Sequence, residues 1–266
     1  MRLHHIRNAT FVLESSNYFI LIDPMLSNQG ELRPFSLIKH KARKNPIVPL
    51  PEGTDELLSK VTHCLITHSQ AFGIKLLQHT DHLDAKGEQF LITNNIPVAT
   101  IKKDAPYLKK QRLNVVDEIE FWKKKSYLNG YIRAVPARHG YGWIHRLMAN
   151  GAGYFLELPN EPSIYICGDT VFTHAVQEAI LEFQPDIVVI AAGHASLDVG
   201  GALLMDMEDL LEVIRISPHK VIANHMDALN HCSITREKLK EQLMEGNSKV
   251  IIPEDGQTIT LSLEDI

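Results

Sequence analysis

Short apolar runs broken by polar turns fill the first part of the chain. Later stretches instead space their apolar positions every three or four residues. Residues 9–23, "ATFVLESSNYFILID", read as two strands joined by a polar turn, and residues 61–66 as a buried strand ending at Thr67-His68. A helix starts in 84–91, a Lys-rich helix lies near 104–112, and 115–121, 131–136, 153–158 and 163–167 read as strands. Helix and strand then alternate: a helix at about 173–183, the strand "DIVVIAAG", a helix from Asp206, the strand "KVIANH" and a helix from Thr235. Asp206 with Asp209 three residues on resembles a capping box. "VIIPEDGQTITL" reads as a strand, a turn and a strand. No linker, repeat or low-complexity segment divides the chain. One domain over 1–266 is therefore expected, with sheets packed together and helices outside.

At 266 residues and 44% hydrophobic content the chain can bury a sizeable core. The N-terminus lacks an uninterrupted apolar stretch, and nowhere do eighteen apolar residues run together, so a cytoplasmic protein without membrane contact is expected. Cys64, Cys167 and Cys232 form no CxxC pair, which argues against a disulfide framework or a thiolate zinc site. A formal net charge of -5 argues against a nucleic-acid partner, and the lysines between Lys102 and Lys125 read as a solvated helix and hairpin surface.

Fourteen histidines are many for this length, and their positions are informative. From residue 61 onward, four apolar strands each deliver a metal-capable side chain to the loop that follows. His68 follows "CLIT", His139 follows "IRAVPAR", Asp169 follows "IYICG" and His225 follows "KVIAN". Imidazoles and carboxylates at several strand ends suit zinc, iron or manganese, because strands supply the rigidity that a coordination geometry requires. Singly, each has a plainer reading: a histidine after a strand is more often a surface or satisfied core residue, and Asp169 in "CGDT" could cap a helix.

The order "DPML" at 23–26, "VPARHG" at 135–140, "GYFLEL" at 153–158, "IYICGDT" at 164–170 and "ANHMDALNHC" at 223–232 resembles the metallo-β-lactamase superfamily. Within it, the L-ascorbate-6-phosphate lactonase-like metal-dependent hydrolases are the branch most resembled. The resemblance covers nearly the whole chain. It implies an α/β fold, α+β by some schemes: a four-layer αββα sandwich with a metal site at one edge between the sheets.

That family's signature is HxHxDH. Read straight on from His68 it fails, at Gln70, Phe72 and Gly73. His79-x-Asp81-His82 has the spacing of its last three residues, so removing residues 70–78, "QAFGIKLLQ", restores it. Phe72, Ile74, Leu76 and Leu77 give this insertion enough apolar surface to pack down as a short turn or helix. Closing such a loop costs a few kcal/mol, roughly 1.5RT ln n plus a constant, against about 10 to 16 kcal/mol for structural zinc binding in peptides.

Carried over by position, the resemblance implies His68, His79 and His139 on one ion and Asp81, His82 and His225 on a second, with Asp169 between them. It implies two divalent ions, zinc first, with manganese or iron accommodated. Asp81 would also orient the nucleophile and accept its proton. Arg138, Tyr141, Trp143, His145, His194 and His231 flank these loops as weaker candidates for lining a substrate pocket, each with a structural reading at least as good. Asn8 stands where relatives tend to carry a histidine. The expected activity is hydrolysis of a small ester, lactone or phosphoester, with homo-oligomerisation open. The alternative is an impaired metal- or ligand-binding protein whose insertion has displaced His68.

Overall fold

Runs of β-branched and apolar residues too short to form helices can be buried on both faces only by stacking sheets and covering them. In the computed structural model, which describes residues 1–70, 72–75, 78–243 and 247–264, they form two seven-stranded sheets. The first contains β1 (Arg2–Arg7), β2 (Thr10–Ser15), β3 (Tyr18–Ile22), β4 (His63–Leu65), β5 (Val98–Ile101) and β6 (Val115–Ile119) in that order. The second runs β7 (Lys125–Tyr127), β8 (Gly130–Pro136), β9 (Ala152–Glu157), β10 (Ile164–Ile166), β11 (Ile187–Ala191), β12 (Lys220–Asn224) and β13 (Val250–Ile251). A last strand, β14 (Thr258–Thr260), returns to the first sheet and pairs antiparallel with β1.

Alternation along the strands sorts side chains into three layers of core. Leu13, Ile20 and Leu65 meet Ile132, Tyr154 and Ile166 between the sheets. Val12, Leu21, Cys64 and Val98, on the outer face of the first sheet, are covered by Leu91 of α2 (Ala85–Thr93) and Leu108 of α3 (Ala105–Lys110). On the far side Tyr165, Val188 and Ile190 are covered by α4 (His174–Phe183) and α5 (Met207–Ile216). The layers are therefore helix, sheet, sheet, helix.

Helix starts follow the sequence signals. Asp84 accepts from Gly87 N at 2.7 Å, Thr173 from Val176 N at 3.3 Å and Asp206 from Asp209 N at 2.9 Å. The box at Asp206 is only half closed, because the Asp209 carboxylate is taken up by Tyr141 and by Phe172 N. α2 packs so tightly that a Cβ on Gly87 would stand 2.0 Å from the Pro24 carbonyl oxygen.

β1, β5, β7 and the single-turn α1 (Thr54–Leu58) escape the periodicity. "VIIPEDGQTITL" does form a strand, a turn and a strand, but the two strands part: β13 runs parallel to β12 in one sheet and β14 joins β1 in the other. One expectation is corrected: the insertion does not bury its described apolar side chains, since Phe72 is 66% and Ile74 49% exposed, while Leu76 and Leu77 lie outside the described residues. It is held by polar contacts instead. Gln70 and Gln78 bridge across its neck, Gln78 Nε2 donates to Leu83 O at 2.6 Å, and Tyr107 Oη donates to Gln78 Oε1 at 2.8 Å. The lysines after residue 101 are a solvated, paired surface, with Lys109 on Glu118 at 2.6 Å and Lys125 on Asp117 at 2.9 Å. No described helix is long and apolar enough to cross a membrane.

Candidate metal centre

The parallel strands β3, β4 and β5, and on the other sheet β10, β11 and β12, end along one edge of the sandwich. Loops at that edge, after β4, β10 and β12 and with them the loop after β8, bring seven polar side chains together. His68, His79 and His139 form one set, and Asp81, His82, Asp169 and His225 another; within each, the ligand atoms lie within 4.8 Å of one another. The insertion returns His79 Nδ1 to 3.1 Å from His68 Nε2. Asp169 Oδ2 lies 3.0 Å from His82 Nε2, 3.5 Å from His225 Nε2 and 3.7 Å from His139 Nε2, so one carboxylate faces both sets.

The outward nitrogens are tied back by a surrounding shell, which fixes ring orientation and tautomer. His82 Nδ1 meets Asp23 Oδ2 at 2.9 Å. Asp23 also accepts from Thr67 N at 2.8 Å and Thr67 Oγ1 at 2.7 Å, and that hydroxyl is 3.1 Å from His68 Nδ1. His139 Nδ1 lies 3.3 Å from Leu203 O, and His225 Nδ1 3.8 Å from Cys232 Sγ. Asp23 is the residue the sequence reading missed. It ends the apolar run "YFILI" just as His68 ends "CLIT", and extending the strand-end criterion upstream of residue 61 would have found it.

The donors fit divalent ions. His82 Nε2, His225 Nε2 and both Asp169 carboxylate oxygens are buried without a hydrogen-bond partner, and such atoms persist in a fold only where something else satisfies them. His82 and Asp169 are close, but not aligned as donor and acceptor. Burial lowers His68 well below the ordinary histidine value, lowers His79 to about 4 and lowers His139, which keeps these rings neutral as ligands. Burial works against the anion of Asp169, yet His82 and His225 hold it well below the usual carboxylate range. Burial also opposes protonation of His82, but Asp169 and Asp23 raise it well above 6.5. An ion at Asp169 would supply the same compensation and displace that proton.

The remaining candidates divide. His231 is buried beside the centre, where Asp81, His225, Asp169 and His139 all act on it; its Nδ1 lacks a partner, and the Phe35 ring packs on its edge at 5.1 Å. Tyr141 has its hydroxyl engaged by Asp209. His145 sits in a 3-10 turn, Ile144–Arg146, whose carbonyl accepts from Asn150 Nδ2 at 2.9 Å. His194 Nδ1 is 3.2 Å from Met205 O. Arg138 and Trp143 are exposed on the His139 loop. Asn8 holds the Asp81 and His225 loops together, donating from Nδ2 to Asp81 O at 3.1 Å and accepting from His225 N at 3.0 Å.

No protein-family model matches the chain. It is 33% identical, over 98% of its length and 100% of the relative's, to UPF0173 protein YddR of Bacillus subtilis. The chain belongs to the UPF0173 family of metal-dependent hydrolases. A UPF0173 metal-dependent hydrolase of Methylacidiphilum infernorum is 24% identical over 92% of the chain and 93% of the relative. Among solved structures, the isothiocyanate hydrolase from Delia radicum gut bacteria is 30% identical and superposes with a TM-score of 0.85, covering 98% of this chain and 100% of that one. The metallo-β-lactamase fold protein YhfI of Bacillus subtilis is 10% identical with a TM-score of 0.60, covering 97% and 98%, and shares the fold. The chain is thus a metal-dependent hydrolase of the UPF0173 family with the metallo-β-lactamase fold.

Proposed function

We propose that the protein hydrolyses a small, neutral substrate at an electrophilic carbon, as in an ester, a lactone or an isothiocyanate, with two divalent ions held by the two ligand sets. The carrying observation is the pair of sets facing a single Asp169 carboxylate. Zinc suits these imidazole and carboxylate donors, and manganese and iron share them. Bound there, the ions would bring the pKa of a water near neutrality and polarise the substrate. Asp81, which burial opposes but His82 and His79 hold below the usual carboxylate range, is anionic and placed to orient that water and take its proton. His231, neutral and with a free Nδ1, is placed to hydrogen-bond the substrate.

A neutral substrate is favoured by where the buried guanidinium groups point. Among the described residues two arginine side chains are buried, and both are committed. Arg7 donates to the carbonyls of Met25, Ser27 and Val48, and Arg236 pairs with Asp227 and Asp255. A phosphoester would find no buried guanidinium and would leave its charge to the ions alone. The similarity to an isothiocyanate hydrolase favours a carbon electrophile on independent grounds. The return of His79 to His68 counts against an impaired first site.

Elemental analysis and a substrate panel test the proposal together. The expected result is two divalent ions per chain and turnover of an ester, lactone or isothiocyanate that is lost in His82→Ala. Turnover confined to phosphodiesters overturns the substrate assignment; one ion or none, with no turnover, overturns the whole.

A further inference from the structure

Residues 28–47 run as a strap beside the centre. Leu32 and Asn45 pair across its base. Asn230 pins its middle, accepting from Phe35 N at 2.9 Å and donating to Ser36 O at 2.7 Å and Lys41 O at 3.2 Å. Asp198 accepts the amides of Leu37, Ile38 and Lys39 at 2.9, 3.1 and 2.9 Å and also takes the Ser36 hydroxyl. The tip is therefore fixed by hydrogen bonds. What it displays is apolar: Leu37 is 64% and Ile38 88% exposed, and Val199, next to Asp198, is 72% exposed. The patch continues, because Gly200 lies against Ile144, where a Cβ would stand 2.5 Å from Ile144 Cδ1, and Trp143 and Leu147 on that turn are also exposed.

The same strap is cationic. Arg33, Lys39, Lys41, Arg43 and Lys44 are exposed, and residues 33–44 contain no Asp or Glu. No carboxylate among the described residues lies within 4.0 Å of any of the five, whereas the lysines after residue 101 are largely paired. A rigid tip that holds bare aliphatic side chains in water amid uncompensated cations, on a chain of net charge -5, needs a complementary partner.

We infer that this strap is a peripheral docking surface for an anionic lipid bilayer. Leu37, Ile38 and Val199 enter the acyl boundary, Trp143 sits at the headgroup level, and the strap cations meet lipid phosphates. A nucleic acid would use the cations but leaves the aliphatic tip without a role. Peripheral contact needs no spanning segment, so the lack of a long apolar run, which led to the expectation of no membrane contact, does not bear on it. The inference is also independent of the substrate assigned above.

Vesicle flotation of the metal-loaded full chain tests it. Binding is expected to phosphatidylcholine vesicles containing phosphatidylglycerol, and not to phosphatidylcholine alone, with loss at high salt. Each of Lys39→Gln, Lys41→Gln and Arg43→Gln is expected to weaken binding about fivefold. Leu37→Ser with Ile38→Ser is expected to abolish it while circular dichroism stays unchanged. Absence of flotation with anionic vesicles, or binding that survives the serine double variant, overturns the inference. So does tight binding to an oligonucleotide without vesicle binding.

Discussion

Asp23 ties the two ligand sets together from behind. Its carboxylate orients His82 directly and His68 through Thr67. Asp23→Ala is expected to weaken metal binding about 10- to 100-fold, read by competition with a chromophoric chelator. Unchanged affinity would show that the rings are oriented without it. At this scale the side chains that the structure gathers were legible, because a polar residue ending an apolar strand is a local signal. Asp23 carries the same local signal at the end of β3, but its role needed the parallel pairing of β3 with β4, which sets it against Thr67. His231 was legible only as a histidine near a ligand. What distinguishes it, a buried nitrogen without a partner, exists only in three dimensions.

Elements decide how the interrupted signature is reassembled. The insertion was legible as an interruption from the spacing of His79, Asp81 and His82, but its apolar residues suggested packing where polar bonds at its neck hold it. Gln78→Ala removes the contacts to both Leu83 and Tyr107. It is expected to reduce occupancy of the ion at His68, His79 and His139 more than that of its neighbour, as stepwise metal titration would resolve. Equal loss at both would place the loop's role elsewhere. The helix following the signature has its own constraint: Gly87→Ala would drive a Cβ into the Pro24 carbonyl. A destabilisation of about 1–3 kcal/mol in urea unfolding is expected, with wild-type stability as the contrary result.

For the whole molecule, the helix–sheet–sheet–helix order was legible because alternation and helical period both reached the sequence, whereas the split of β13 and β14 between sheets did not. Short strands carry no address for their partners. Proton linkage also belongs to this scale. Burial lowers His68 and His139 and brings His79 and His231 to about 4, from an ordinary 6.5. As pH falls from about 6.5 towards 4 the unfolded chain binds protons that the folded one refuses, so stability drops. His82, raised by its carboxylates, acts the other way, adding stability below 6.5 that is lost as pH rises through its folded value, but it is one ring against several, since burial also lowers His5, His40 and His63. The urea midpoint of the metal-free protein is expected to fall steeply between pH 6.5 and 4. A flat profile would mean that the buried rings protonate freely. Stripping the ions with a chelator at neutral pH is expected to lower the melting temperature, since ligands that bind only the folded state stabilise it by mass action.

The pairing of β1 with β14 also bears on how the protein is made. Leu3 waits for Ile259, and the Met1 carbonyl for Leu261 N at 2.9 Å, so β1 has an unfilled edge until β14 has left the ribosome. During translation that open edge is a template for pairing with another nascent chain, and the hazard lasts while every strand between the two is being made.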